Sequence, residues 1–203
     1  MGHSLVSGMV NSVAQPVLSS VNDDNERQLR VFRKMLRFTA FVSFPTMLGL
    51  SLIAPQLIVI AITEKWMPSV SILQILCIGG AFIPIINLYS NLIISKGKSN
   101  IYMWNTIALG LLQIIMMTCL HNFGIQFMLT VYIIINILWL MVWHYFVWKE
   151  IKISIFMALK DISFFAAAAI FTMIATYFAT RSITNIYLLI TSKVILAAFL
   201  YIF

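Results

Sequence analysis

The chain of 203 residues is 62% hydrophobic and 9% charged, with a net charge of +7 and a mean hydropathy of +0.99. Soluble domains carry about 25% charged residues, so this composition excludes an ordinary soluble domain and implies an all-α, polytopic integral membrane protein. The basic excess does not imply a nucleic-acid partner, because the basic residues are divided among short segments between apolar runs.

Residues 1–21 lack the basic start and long apolar core of a signal peptide. They carry helical periodicity instead. Leu5, Met9, Val13, Val17 and Val21 form one ladder, and Ser4, Ser7, Asn11, Gln15 and Ser19 fall opposite it. Such a helix suits a span with one face toward a wet cavity. A surface amphipathic helix is the alternative, but its polar face would be expected to carry Lys or Arg.

Residues 22–37, NDDNERQLRVFRKMLR, hold eight of the nineteen charges. Asp23 with Glu26 resembles a capping box. Arg27, Arg30, Lys34 and Arg37 then recur at helical spacing opposite Leu29, Phe32 and Leu36. The expectation is a short amphipathic helix over 23–37, lying at the cytoplasmic surface with its basic face in water.

Six apolar runs follow, at 38–62, 69–94, 101–120, 125–148, 162–179 and 186–203. Each approaches the roughly 20 residues a spanning helix needs. With 1–21 they give six to seven spans in a single membrane domain. Membrane β-strands do not fit, because the runs are long and apolar on all sides. Placing 22–37 in the cytoplasm puts 95–100 and 149–161 there too, so ten of the thirteen basic residues share that side. The N-terminus then falls outside, and the last run ends at Tyr201-Ile202-Phe203 without a polar tail. Both features suggest part of a longer protein.

Within the runs, Pro45, Pro55 and Pro84 favour kinks that serve either as hinges or as static bends. Asn87, Asn91, Asn105, Gln113, Asn136 and His144 are polar at bilayer depth. The amides suit either sugar hydroxyls in a cavity or packing between helices. Lys193 has three readings: pairing with the diphosphate of a lipid substrate, snorkelling to the interface, or an ion pair with another lobe. Enzymatic chemistry has little support. His3, His121 and His144 are scattered, paired carboxylates are lacking, and no Gly-rich phosphate loop occurs. Cys77 and Cys119 have no metal-site spacing and read as buried thiols. No cofactor or metal is expected.

One stretch is more specific. Between Gln15 and Lys98 the chain places Pro16, an acidic-then-basic helix, Phe44-Pro45, Leu-Ile-Ala-Pro (52–55), Glu-Lys-Trp (64–66), Leu-Gln-Ile-Leu (73–76) and Lys-Gly-Lys (96–98). This pattern resembles the second half of bacterial polysaccharide transporters. Those are lipid-linked oligosaccharide flippases of the multidrug/oligosaccharidyl-lipid/polysaccharide exporter superfamily. Residues 101–203 match only as apolar spans. The resemblance implies one lobe of a two-lobe transporter of the inner membrane, with pseudo-twofold halves around a central cavity. Its implied partners are membrane lipid, a lipid-linked oligosaccharide (O-antigen, capsule or exopolysaccharide units) and the missing N-terminal lobe. Substrate contacts are expected from Asn11, Gln15, Asn87, Asn91, Asn105 and Lys193, and one lobe alone is expected to be inactive. A multidrug antiporter fragment of the same superfamily is the alternative, but none of the six acids falls in an expected span. A non-transporting remnant or scaffold is the third reading.

Overall fold

The computed structural model describes residues 14, 16–22, 24–181 and 185–202. Among them lie six long helices: α1 (Asn25–Ala61), α2 (Ser69–Ser95), α3 (Ser99–Leu120), α4 (Ile125–Ile151), α5 (Ile155–Thr180) and α6 (Ile186–Ile202). A preceding helical turn covers residues 16–19, and no strand occurs among the described residues. Helices α1 to α5 are long and apolar enough to cross a membrane. Helix α6 is apolar, with 17 residues described. The chain is a multi-pass inner-membrane protein.

The charged stretch and the first apolar run are one helix, not two. Helix α1 continues for 37 residues, and its N-cap is Asp24, whose carboxylate accepts from the Arg27 amide at 2.9 Å. Asp23 lies outside the described residues. No break forms at residue 38 because the buried stripe runs on without interruption. Phe32 and Leu36 are followed at the same spacing by Ala40, Phe44 and Met47, all in one core. The polar density of 22–37 belongs to the opposite face of the same rod.

The expected connection over 149–161 also shrinks. Helix α4 ends at Ile151, where Lys152 takes a left-handed conformation (φ 55°) and lays its ammonium over the Trp148 ring. Helix α5 resumes at Ile155, so Asp161 is helical. Between α2 and α3, Gly97 (φ 71°) closes a Schellman turn, with Lys98 N–H donating to Ile93 O at 3.2 Å and Gly97 N–H to Ile94 O at 2.9 Å. Only glycine adopts that conformation without strain.

Helix α1 is the central strut, packing against α2 and α5, while α4 covers α2, α3 lies outside against α4 and α2, and α6 rests on α5 and α1. Gly79 and Gly80 let α2 approach two neighbours at once. A Cβ on Gly79 would come within 2.7 Å of Ile133 on α4, and one on Gly80 within 3.2 Å of Met47 on α1. Small residues at such crossings are how membrane helices gain dispersion contact. The outward faces are apolar, with Phe156, Phe164 and Phe171 fully presented, as expected where the solvent is lipid.

Candidate functional site: a basic end and an apolar cavity

The short connections place Arg27–Arg37, Lys96, Lys98, Lys149, Lys152 and Lys160 at one end of the bundle, the basic end. Arg27, Arg30, Lys34 and Arg37 are exposed along α1. Two arginines do more than face outward. Asp161 on α5 has a side chain only 2% exposed, and it accepts from Arg33 Nε at 2.7 Å, Arg33 Nη2 at 3.1 Å and Arg37 Nε at 2.7 Å. A buried carboxylate requires such partners. Arg33 and Arg37, four residues apart, stand on one face of α1 and clamp it from both sides. One negative charge against two positive leaves this corner cationic.

Further ties follow. Lys98 pairs with Glu150 on α4. Lys96 Nζ donates to Asn22 O at 3.0 Å and Asn25 Oδ1 at 2.8 Å. Gln28, fully buried, donates to Leu18 O at 3.1 Å. Beneath them, Tyr89 packs edge-on against Phe32 and its hydroxyl meets His144 Nδ1 at 3.3 Å.

Deeper, α1, α5 and α6 line a half-open cavity of about 580 Å³ whose wall includes Phe41, Pro45, Leu52, Met173 and Tyr201. Its lining is apolar apart from a few groups. Lys193, 6% exposed, reaches it from α6, and the Tyr201 hydroxyl is buried without a hydrogen-bond partner among the described residues. Within the described residues, the partners of Lys193 are neutral oxygens of α1. Its ammonium donates to Leu52 O at 3.1 Å and to Gln56 Oε1 at 3.2 Å. It neither snorkels nor meets a carboxylate among the described residues.

Prolines stand beside those acceptors. Pro55 has no N–H for Ser51 O, the carbonyl one turn earlier, and its ring presses on that turn. Gln74 of α2 donates to Ser51 O at 3.3 Å, and Lys193 takes the neighbouring Leu52 O. At Pro84, Ser43 of α1 donates to Ala81 O at 2.8 Å, beside the Gly80 carbonyl that the proline leaves without a helical donor. Pro45 and Pro55 both lie inside α1 and Pro84 inside α2, so each helix runs through its prolines.

The expected substrate amides do not gather around Lys193. Asn11 and Gln15 lie outside the described residues. Asn91 is buried on α2. Asn105 spends its amide N–H on Ile101 O at 3.0 Å in its own helix. Asn87 is half-buried and its side chain makes no hydrogen bond among the described residues. Gln113 and Asn136 join α3 to α4 at 3.3 Å. Sequence reasoning missed Asp161, Arg33 and Gln56. Asp161 was assigned to a connection because Lys149, Glu150, Lys152 and Lys160 crowd around it. The available signal was Arg33 and Arg37 at i and i+4, a pair that suits one acid.

Residues 1–71 match the family model described as polysaccharide biosynthesis protein. The chain is 37% identical over 95 residues to a membrane protein of the cps region of Klebsiella pneumoniae, covering 47% of this chain and 20% of that protein. It is 27% identical over 93 residues to the lipopolysaccharide biosynthesis protein WzxC of Escherichia coli (strain K12), covering 46% and 19%. It is also 24% identical over 151 residues to the teichuronic acid biosynthesis protein TuaB of Bacillus subtilis (strain 168), covering 74% and 31%. The chain thus spans a fifth to a third of these relatives' lengths. Among solved structures, the lipid II flippase MurJ in an inward closed conformation superposes with a TM-score of 0.78 at 17% identity, over 98% of this chain and 43% of that one. The resemblance read from residues 15–98 holds: the chain is similar in sequence to polysaccharide biosynthesis proteins and has the fold of part of a lipid flippase.

Proposed function

We propose that the parent protein flips a lipid-linked oligosaccharide across the inner membrane, and that this chain supplies the C-terminal half. The observation that carries the reading is the superposition on a lipid flippase over 98% of the chain, joined to a polysaccharide-family match over residues 1–71. In this reading the basic end lies in the cytoplasm, following the distribution of Lys and Arg. The stripe Arg27, Arg30, Lys34 and Arg37 draws the diphosphate of the carrier lipid toward the entrance. Sugar hydroxyls exchange hydrogen bonds with amides at little net cost, and Asn87, whose side chain makes no hydrogen bond among the described residues, suits that role, as do Asn11, Gln15 and Asn91. One lobe cannot enclose such a cargo, so the other lobe is a required partner.

The antiporter alternative gains nothing from Asp161. The acid does lie inside a helix, but its carboxylate is taken by Arg33 and Arg37, which leaves it unsuited to exchanging a cation. The test is complementation of a strain lacking its polysaccharide flippase. The two-lobe protein is expected to restore surface polysaccharide, and the 203-residue chain alone to insert without restoring it. A well-expressed two-lobe protein that moves no lipid-linked sugar after reconstitution would sink the assignment. Rescue by this chain alone would refute the half-transporter claim.

A further inference from the structure

We infer that Lys193 is a latch holding α6 against α1 beside the half-open apolar cavity, with the Pro55 turn of α1 as its keeper. Four observations meet at this point. Among the described residues, helix α6 packs mainly on α5 and α1. The cavity lies directly beneath it. The polar side chains beside Lys193 do not tie α6 to its neighbours, since Thr191 and Ser192 turn back on their own helix, to Tyr187 O and Leu189 O at 3.0 Å each. Lys193 crosses to α1, and it does so at the turn where Pro55 leaves Ser51 O without a helical donor.

The chemistry makes this hold reversible. An ammonium carries three donors, and Lys193 meets two neutral oxygens and no carboxylate among the described residues. A full ion pair at this depth would lock the helix. Without Pro55 that turn would regain the helical donor of Ser51 O and offer the lysine less. Gln74 shares the same turn from α2 through Ser51 O, so the node joins α1, α2 and α6. Release of the lysine lets α6 swing off α1 and widens the cavity toward lipid, with the α5 contact as the pivot. Lys193 and Pro55 are positioning residues in this device.

The test reads the α1–α6 separation directly and does not depend on transport, so it stands apart from the flippase reading. Cys77 and Cys119 are replaced by Ser. Spin labels are placed at Leu57→Cys and Leu188→Cys, both exposed in the native chain. The full chain is then measured in lipid nanodiscs by pulsed electron resonance. The native background is expected to give a dominant short distance. Lys193→Met should raise the long-distance fraction about tenfold, the worth of a hydrogen bond to a charged group. Gln56→Glu, which keeps the lysine and gives it a carboxylate, should lower that fraction below the native level. Pro55→Ala should act like Lys193→Met, and the double variant should add nothing further, because both remove the same contact. Equal distributions in all variants overturn the latch. So does a Gln56→Glu sample that fails to narrow, and so do Pro55 and Lys193 effects that multiply. If Lys193→Met does not fold, the Gln56→Glu result alone decides.

Discussion

The two ends of the bundle are held by different physics. At the basic end, α1 is tied to α5 through Arg33, Arg37 and Asp161, the α2–α3 turn to α4 through Lys98 and Glu150, and the start of α1 to the same turn through Lys96. At the opposite end, one-turn helices at Glu64–Trp66 and His121–Phe123 make the connections. There, Gln126 donates to Ser71 at 2.8 Å, and no ion pair forms among the described residues. Neutral contacts in lipid gain little from the hydrophobic effect, since acyl chains are as apolar as the side chains they replace. Buried charge is different, because its partners are costly to lose. The bundle is therefore pinned at one end and held mainly by shape at the other.

Removing both arginines tests that pinning most severely. Arg33→Met with Arg37→Met strands Asp161 without a cation in a site where its side chain is 2% exposed, and should cost about 3–5 kcal/mol. Reversible unfolding in detergent would show it as a large loss of midpoint stability. A loss below about 1 kcal/mol would break the contrast between the ends. Next in size is shape. Gly79→Ala sets a methyl within 2.7 Å of Ile133 and should cost about 1–3 kcal/mol. Pairing it with Ile133→Ala should recover much of that loss, and absence of rescue would show that the close approach is not what holds α2 to α4.

A smaller effect is expected from Asp161→Asn. The amide still accepts a hydrogen bond, and Arg33 and Arg37 are 29% and 51% exposed, so both can turn to water or headgroups. The cost should be about 1 kcal/mol. This ordering separates the two halves of one ion cluster. If Asp161→Asn destabilises as much as the double arginine change, burial of the acid is not the source of the stability. The smallest effect belongs to the other end. Gln126→Ala removes an exposed hydrogen bond and should shift stability by less than about 0.5 kcal/mol.

Hydropathy located the middle of the molecule better than its edges. The runs at 69–94 and 125–148 coincide closely with α2 and α4, because a long apolar segment has few alternatives to a helix. The junction at Arg37–Phe38 misled for a physical reason. Composition changes there abruptly while the buried stripe Phe32, Leu36, Ala40 does not. A period read across the boundary reveals one helix, whereas an average on each side reveals two. Asp161 was hidden in the same way, since an acid among lysines reads as a solvated connection until the two arginines from α1 are seen beside it. Lys193 was visible as an anomaly, but its acceptors were not, because a proline elsewhere in the chain decides which carbonyls are free. The partners of a side chain are a property of the packing, which local sequence does not record.

The continuity of α1 has a mechanical consequence. A rod of 37 residues is about 55 Å long, of which the part from Asn25 to Pro45 accounts for about 30 Å. Bending at Pro45 therefore has a long arm on the basic side. A rotation of about 5° there carries the Asn25 end through roughly 2–3 Å, comparable to a hydrogen-bond length. The Arg33–Asp161 and Arg37–Asp161 contacts sit between that tip and the fulcrum, so they bear the leverage of anything that pushes on Arg27 or Arg30. A bend at Pro45 would therefore be felt at Asp161 before it reached Pro55.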